Sequence, residues 1–139
     1  MLYLASDHAG FEMKQQLLLK LTEAQIPFTD LGPYTGDSVD YPDFAHKLAE
    51  SVLVEPENRG ILLCGSGNGV CITANKHQGI RAALCWTAEL AHLARSHNDA
   101  NVLCIPARFV SFEIASAMVE EFLATAFEGG RHQKRVEKI

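Results

Sequence analysis

The sequence predicts an α/β protein in which helices cover both faces of a five-stranded parallel sheet, a three-layer αβα sandwich. Two observations lead to this fold class. Short apolar runs of strand length alternate five times with longer runs of helical period. The middle strands are almost unbroken in their apolar character, as strands buried on both faces are. With 139 residues, of which 47% are hydrophobic, the chain can form one domain with a substantial core.

The first 54 residues contain two strand–helix units. The segment LYLAS (2–6) is predicted as a short strand, and apolar residues recur at helical spacing through 9–24. A second strand, PFTDLG (27–32), ends in a Gly-Pro turn. The polar loop YTGDSVDYPD follows, and a helix over 42–54 begins with a proline, which suits a first helical turn.

The remaining elements repeat the same pattern. The predicted order is a strand GILLCG at 60–65, a helix at 69–76, a strand IRAALC at 80–85, a helix at 87–97, a strand NVLCIPA at 101–107 and a long helix at 110–127. Strands separated by helices form parallel sheets through crossover connections. The sequence therefore predicts a doubly wound, Rossmann-like arrangement within one domain, residues 1–128.

The last residues, 129–139, differ from the rest of the chain. Two glycines interrupt the preceding helix, and the basic segment RHQKRVEKI is too short to hold a core of its own. We expect this C-terminal tail to dock on another surface, in the same chain or on a neighbouring subunit.

Charge and composition exclude several classes of partner. The net charge of −5 argues against nucleic acid or an anionic membrane as the main partner, because both require a basic surface. No apolar run approaches the length of about 18 residues that spans a bilayer, and no secretory signal precedes the first strand. The four cysteines form no C-x-x-C pair, so we expect reduced thiols and a cytoplasmic location.

The segment CGSGNG (64–69) is the first candidate for a ligand site. Its three glycines let backbone amides approach a ligand closely, and free N–H groups at the start of a helix favour an anion. The segment is not a P-loop, since no Gly-Lys-Ser/Thr follows, and it is not G-x-G-x-x-G, because the sixth position of a motif that begins at Gly65 is Val70. Both this loop and SDHAG (6–10) follow strands, at the sheet edge where open α/β sheets bind ligands. On its own, the loop is equally a tight strand-to-helix turn.

Single residues near these loops each allow two interpretations. Cys64 is either a small buried hydrophobe or a thiol whose thiolate is stabilised by nearby amides. Asp7 is a helix cap or a ligand, and His97 simply closes a helix or does chemistry. Arg131 and Arg135, four residues apart, are solvated or together hold a phosphate. The residues predicted to be core or without a role are Cys71, Cys85, Cys104, His46, His77 and His92.

Several sequence blocks together resemble the type B ribose-5-phosphate isomerases. In order along nearly the whole chain they are SDHAG, DYPDFA, GILLCGSGNG, ANK, GIRAALC, HNDANVL and EGGRHQKRVEKI. The resemblance implies a carbohydrate-metabolism enzyme of the pentose phosphate pathway that interconverts ribose 5-phosphate and ribulose 5-phosphate with no cofactor and no metal. Members of the wider family act on allose 6-phosphate or galactose 6-phosphate.

The resemblance also assigns roles to residues. Cys64 would be the base that removes the C2 proton to give an enediolate, since some relatives instead carry a glutamate at the position of Val70 and lack this cysteine. Ser66 would move protons between the two oxygens, and His97 would open the furanose ring. The resemblance assigns substrate contacts to Asp7, His8, Tyr41, Gly65, Gly67, Asn68, Gly69, Asn98, Arg108, Arg131 and Arg135.

The predicted strand order places these residues at two edges of the sheet. Cys64 and Arg108 follow strands, whereas His97 precedes one and Arg131 follows a helix that returns antiparallel. The two groups are therefore separated by a strand length, about 17 Å. If the family roles hold, a second subunit supplies His97 and the tail, which predicts a homodimer or a tetramer with shared sites.

Other functions remain as alternatives from the sequence. The same chemistry on a six-carbon sugar phosphate is the nearest one. A non-catalytic module that binds a sugar phosphate or a nucleotide is another, although the clustered carboxylates of a receiver domain are absent around Asp7. A thiol-redox role lacks the C-x-x-C motif that it would require.

Overall fold

Five parallel strands form one sheet. The structure, a computed structural model, describes all 139 residues. The strands are β1 (Leu2–Ser6), β2 (Phe28–Asp30), β3 (Arg59–Cys64), β4 (Ala82–Leu84) and β5 (Val102–Pro106). Their order in the sheet is β2-β1-β3-β5-β4. The helices are α1 (Phe11–Glu23), α2 (Tyr41–Val52), α3 (Asn68–Ala74), α4 (Ala88–Asn98), α5 (Phe112–Ala124) and α6 (Gln133–Val136), with a 3₁₀ turn at Gly130–His132.

The central strands carry the core of the sheet. Leu4 on β1 pairs with Ile61 on β3, which pairs with Leu103 on β5, and all three are fully buried. The edge strands β2 and β4 are three residues long and only partly buried. Apolar side chains on both faces of the central strands explain their unbroken hydrophobic pattern, as expected for a parallel sheet between two helical layers.

Two apolar clusters on opposite faces of the sheet make three layers. Side chains of α1, α4 and α5 pack on one face together with Leu63 of β3. Those of α2 and α3 pack on the other face together with Leu62 and Cys64. Neighbouring residues of one strand thus pack against different helical layers, because successive side chains point to opposite faces of the sheet. The predicted three-layer fold is confirmed, and no helix is both long and apolar enough to cross a membrane.

The observed element boundaries differ from the predicted ones mainly in the two edge strands and at the start of the first helix. The second and fourth strands are shorter than predicted, and the first helix begins at Phe11 instead of residue 9. The carboxylate of Asp7 accepts a hydrogen bond from the Gly10 N–H at 3.0 Å, so a turn precedes that helix. Thr87 and Ser111 cap α4 and α5 through their hydroxyl oxygens, so these helices begin close to the predicted positions.

The chain reverses direction across the sheet between β1 and β3. From β1 it passes through α1 to β2 at one edge, and from β3 through α3 to β4 at the opposite edge. Neighbouring strands whose connections diverge in this way leave a crevice beyond their carboxyl ends. The loops after β1 and β3 line that crevice.

Candidate active site

The crevice beyond β1 and β3 contains a cavity of about 440 Å³. Its walls come from four segments that the sequence separates widely: the loop after β1, the start of α2, the glycine loop after β3 and the turn after β5. The lining residues are Asp7, His8, Ala9, Tyr41, Cys64, Gly65, Ser66, Gly69, Arg108 and Phe109. Eight of these ten are residues that the sequence singled out.

Cys64 is the last residue of β3, and its side chain is 4% exposed. The backbone N–H of Gly67 donates a hydrogen bond to Cys64 Sγ at 3.1 Å. Gly67 has a φ of +75°, and a Cβ there would lie 2.4 Å from Leu84 Cδ1. Only glycine fits this close approach in a left-handed conformation. The loop therefore brings an amide donor to the sulfur of Cys64.

The rest of the glycine loop packs against Tyr41. A Cβ on Gly69 would lie 2.5 Å from Tyr41 Cζ, so the ring lies directly on the backbone there. Ser66 Oγ accepts a hydrogen bond from the Asn68 N–H at 3.3 Å. Tyr41, at the first position of α2, thus forms a wall of the cavity while Ser66 holds the loop in shape.

The loop after β1 contributes an acid and an imidazole. Asp7 is 7% exposed, lines the cavity and accepts the Gly10 N–H in the turn before α1, whose N-cap is Gly10. The Val39 N–H donates to His8 Nδ1 at 3.3 Å. Because Nδ1 accepts this bond, the neutral His8 ring carries its proton on Nε2, which is then a hydrogen-bond donor.

Arg108 supplies the positive charge of the cavity. It follows β5 directly, and its N–H donates to the Gly65 carbonyl at 3.1 Å. Its side chain lies over Gly65, where a Cβ would be 3.1 Å from one guanidinium nitrogen. A guanidinium beside backbone amides suits a carboxylate or phosphate group of a ligand.

The remaining candidates lie elsewhere in the chain. Asn68 lines an adjoining cavity of about 260 Å³ that shares Ser66 and Phe109 with the first. Four residues that the family resemblance assigns to the site do not line the cavity around Cys64. They are His97, Asn98, Arg131 and Arg135. The first two end α4, just before the amino end of β5, and Asn98 lines a separate groove together with the terminal Ile139.

Sequence reasoning missed several residues. Phe109 lines both cavities and is 76% exposed, and its position directly after Arg108 at the end of a strand was the available signal. The family resemblance implied an enzyme without a metal. The structure gathers His97, Glu128 and His132, whose donor atoms all lie within 4.8 Å of one another. His132 also shows that the tail packs on its own chain, because its ring stacks on that of His97.

The other cysteines have distinct environments. Cys85 and Cys104 are buried as predicted, and burial raises the pKa of Cys85 to about 12 and that of Cys104 well above its ordinary value. Cys71 is only half-buried, which differs from the core position predicted for it. A hydrogen bond from Cys104 lowers the pKa of Cys71.

Comparisons with known proteins agree with this arrangement. The family model described as Ribose/Galactose Isomerase matches residues 2–139. The chain is 50% identical to the probable ribose-5-phosphate isomerase B of Mycoplasma pneumoniae over 139 residues, which is 99% of this chain and 91% of the relative. It is 42% identical to ribose-5-phosphate isomerase B of Escherichia coli, covering 96% of this chain and 89% of the relative.

Solved structures are equally similar. A ribose 5-phosphate isomerase from Thermotoga maritima has a TM-score of 0.96 at 48% identity, covering 99% of this chain and 94% of the other. The Mycoplasma genitalium ribose-5-phosphate isomerase B with bound ribulose-5-phosphate has a TM-score of 0.95 at 45% identity, covering 99% and 91%. These similarities extend over the cavity and over the basic tail.

Proposed function

Because the chain belongs to the Ribose/Galactose Isomerase family, we propose that Cys64 is the base of its reaction. The protein is an aldose–ketose isomerase that interconverts ribose 5-phosphate and ribulose 5-phosphate. The observation that carries the assignment of the base is the hydrogen bond from the Gly67 N–H to Cys64 Sγ. A sulfur that lines the cavity and is fixed by an amide donor is positioned to act as a base on a bound sugar.

The reaction requires a proton transfer between two neighbouring carbons. The Cys64 thiolate removes the proton from C2 of the open-chain aldose, which leaves an enediolate with negative charge on oxygen. The same group then returns the proton to C1 and completes the ketose. A single base suffices because, from one face of the planar enediolate, it reaches both C1 and C2.

The glycine loop stabilises the developing charge. The loop from Gly65 to Val70 has glycine at three positions, so no side chain shields the backbone N–H groups there, and that of Gly67 contacts the thiol. Ser66 Oγ accepts a weak bond from Asn68, so its hydroxyl proton is free to pass between O1 and O2 of the sugar. Preorganised donors of this kind lower the barrier because they need no rearrangement during the reaction.

The polar groups around the cavity bind the sugar phosphate. Arg108 and the Nε2 proton of His8 are donors for the phosphate, and Asp7 accepts from a sugar hydroxyl. Tyr41 closes the wall next to the loop. Together these groups match a small polyhydroxylated anion better than a flat aromatic cofactor.

A second subunit completes the site in this proposal. His97, which would open the furanose ring, is joined at the opposite sheet edge by Asn98, Arg131 and Arg135. Strands β1 and β5 have five residues each, a length of about 17 Å, which one chain does not bridge. We therefore infer a homodimer, or a tetramer built from it, in which each cavity receives these residues from the partner.

The test follows ribulose 5-phosphate formation from ribose 5-phosphate by purified protein in the presence of a chelator. Cys64→Ser is expected to lower kcat by about 10²- to 10⁴-fold, the usual contribution of a positioned base, without changing the circular dichroism spectrum. Cys71→Ser is the matched control and should retain activity. Unchanged turnover in Cys64→Ser would show that Cys64 is not the base. Allose 6-phosphate and galactose 6-phosphate, assayed alongside, decide whether a six-carbon sugar is preferred.

A further inference from the structure

Two imidazoles and one carboxylate converge at the C-terminal end of α4. Glu128 Oε2 lies 3.5 Å from His132 Nε2 and 3.9 Å from His97 Nε2. Both separations exceed the 2.7–3.2 Å of an ordinary N–H···O hydrogen bond. The three side chains are therefore gathered without being bonded to one another.

The backbone brings these residues together from two segments. The Glu128 N–H donates to the Ser96 carbonyl at 3.0 Å, which fixes the start of the tail beside the last turn of α4. One turn later, the His132 ring stacks on His97 with centroids 4.1 Å apart and planes 14° from parallel. Both Nε2 atoms consequently point to the same side, towards the carboxylate.

We propose that His97, Glu128 and His132 form a binding site for a divalent transition metal ion, Zn²⁺ above all, that inhibits the enzyme. Two imidazole nitrogens and one carboxylate oxygen are ligands that zinc favours, whereas magnesium and calcium prefer oxygen alone. Around a tetrahedral ion with bonds of about 2.05 Å, ligand atoms lie about 3.3 Å apart. The two carboxylate–imidazole separations need a contraction of a few tenths to about half an ångström, and the two imidazole nitrogens, which lie within 4.8 Å of each other, must also approach as the rings turn.

The surroundings leave room for this adjustment. The His132 side chain is 9% exposed and held in place, whereas the side chains of His97 and Glu128 are 35% and 57% exposed. Imidazole and carboxylate groups turn easily about their terminal torsions, so the nitrogen lone pairs can converge on the ion. The exposed side of the cluster accepts a water molecule as the fourth ligand, as in open zinc sites.

The nearby arginines limit the affinity of the site. The positive charges of Arg131 and Arg135, which lie on the same tail segment as His132, repel a cation. We therefore expect an exchangeable ion that chelators remove, unlike the ion of a closed structural zinc site.

The consequence for activity rests on the proposed function, in which His97 opens the sugar ring. An ion on Nε2 of His97 occupies the lone pair that would accept or relay a proton. It also adds a positive charge and a water molecule where the substrate must enter. Binding of the ion and ring opening thus exclude each other.

The experiment titrates the full-length, chelator-treated protein with ZnCl₂ alone in a calorimeter, with cobalt absorption spectra as a second readout. We expect one ion per chain, bound at least tenfold more weakly by Glu128→Gln and by His132→Asn. The matched controls are Glu121→Gln and His92→Asn, because His92 Nδ1 and Glu121 Oε2 form an exposed pair at 3.2 Å outside this cluster. Glu128 is exposed, so its variant folds even if that of His132 does not.

The outcomes separate the inference from the function on which it rests. Zinc binding that survives in Glu128→Gln but disappears in Cys64→Ser or Cys71→Ser would place the ion on a thiol and overturn the proposal. Normal isomerisation without any zinc binding would overturn it as well, while the proposed function stands. Binding that depends on Glu128 without inhibition would overturn the inhibitory role and contradict the role of His97 in ring opening.

Discussion

The backbone N–H of Gly67 lies 3.1 Å from Cys64 Sγ and donates a hydrogen bond to it. This bond exists because Gly67 adopts a φ of +75°, which turns its amide back towards the end of β3. The conformation of one residue therefore sets the environment of the thiol three residues earlier. In the proposed mechanism, the same amide stabilises the thiolate between proton transfers.

Three of the thiols, those of Cys71, Cys85 and Cys104, are expected to differ sharply in reactivity. With a pKa of about 12, Cys85 is a thiolate for about one part in 10⁴ at pH 8, and burial raises the pKa of Cys104 well above its ordinary value as well. Cys71 is half-exposed with a lowered pKa, so it should be alkylated by iodoacetamide in the native protein. Mass spectrometry of peptides measures this, with guanidinium-unfolded protein as the fully labelled control. Labelling of Cys104 at the rate of Cys71 would contradict the prediction.

The contact between Gly69 and Tyr41 predicts a loss of activity in Gly69→Ala. A Cβ at 2.5 Å from Tyr41 Cζ forces the ring away from the loop and deforms the cavity wall. We expect kcat/KM to fall by about tenfold or more, because small displacements of reacting groups are costly. Gly36→Ala is the control, since the nearest atom to its Cβ is Phe11 Cδ1 at 3.5 Å. Equal activity of the two variants would show that Tyr41 does not shape the site.

Lys14 forms a buried ion pair that should contribute strongly to stability. Its side chain is fully buried, and Nζ donates to Asp30 Oδ1 at 2.5 Å and to the Pro33 carbonyl at 2.9 Å. Lys14→Met leaves the carboxylate without its partner, so we expect the free energy of unfolding to fall by about 3 kcal/mol. In Lys20→Met, which removes an exposed pair with Glu120, the loss should stay below about 1 kcal/mol. Urea unfolding distinguishes the two, and equal losses would refute the difference.

Arg131 should affect substrate binding and not folding. It is exposed on the 3₁₀ turn of the tail, so Arg131→Ala is expected to change the free energy of unfolding by less than about 0.5 kcal/mol. In the proposed dimer it contacts the substrate phosphate, and loss of a charge-assisted bond raises KM by about tenfold or more. Lys134→Ala on the same exposed segment is the control. An unchanged KM in Arg131→Ala would show that this tail residue does not contact the substrate phosphate.

Much of the fold could be predicted because its determinants are local. The alternation of strand and helix periods specifies a parallel sheet with two helical layers, and the glycine loop follows a strand by sequence alone. The ends of the edge strands were overestimated, since β2 and β4 stop where pairing with a neighbour stops. Pairing is a property of two segments, and no single segment shows where it ends.

The sequence by itself determined the layers of the fold, the position of Cys64 at the carboxyl edge and the separation of His97 from it, because periodicity and strand direction are carried by consecutive residues. Only the tertiary structure decided that Lys14 is buried with Asp30, that Cys71 is half-buried and that Glu128 lies beside the Nε2 atoms of two stacked imidazoles. The reason is physical: each of these depends on how distant segments pack, and a side chain's burial or charge partner is fixed only when the chain has closed around it.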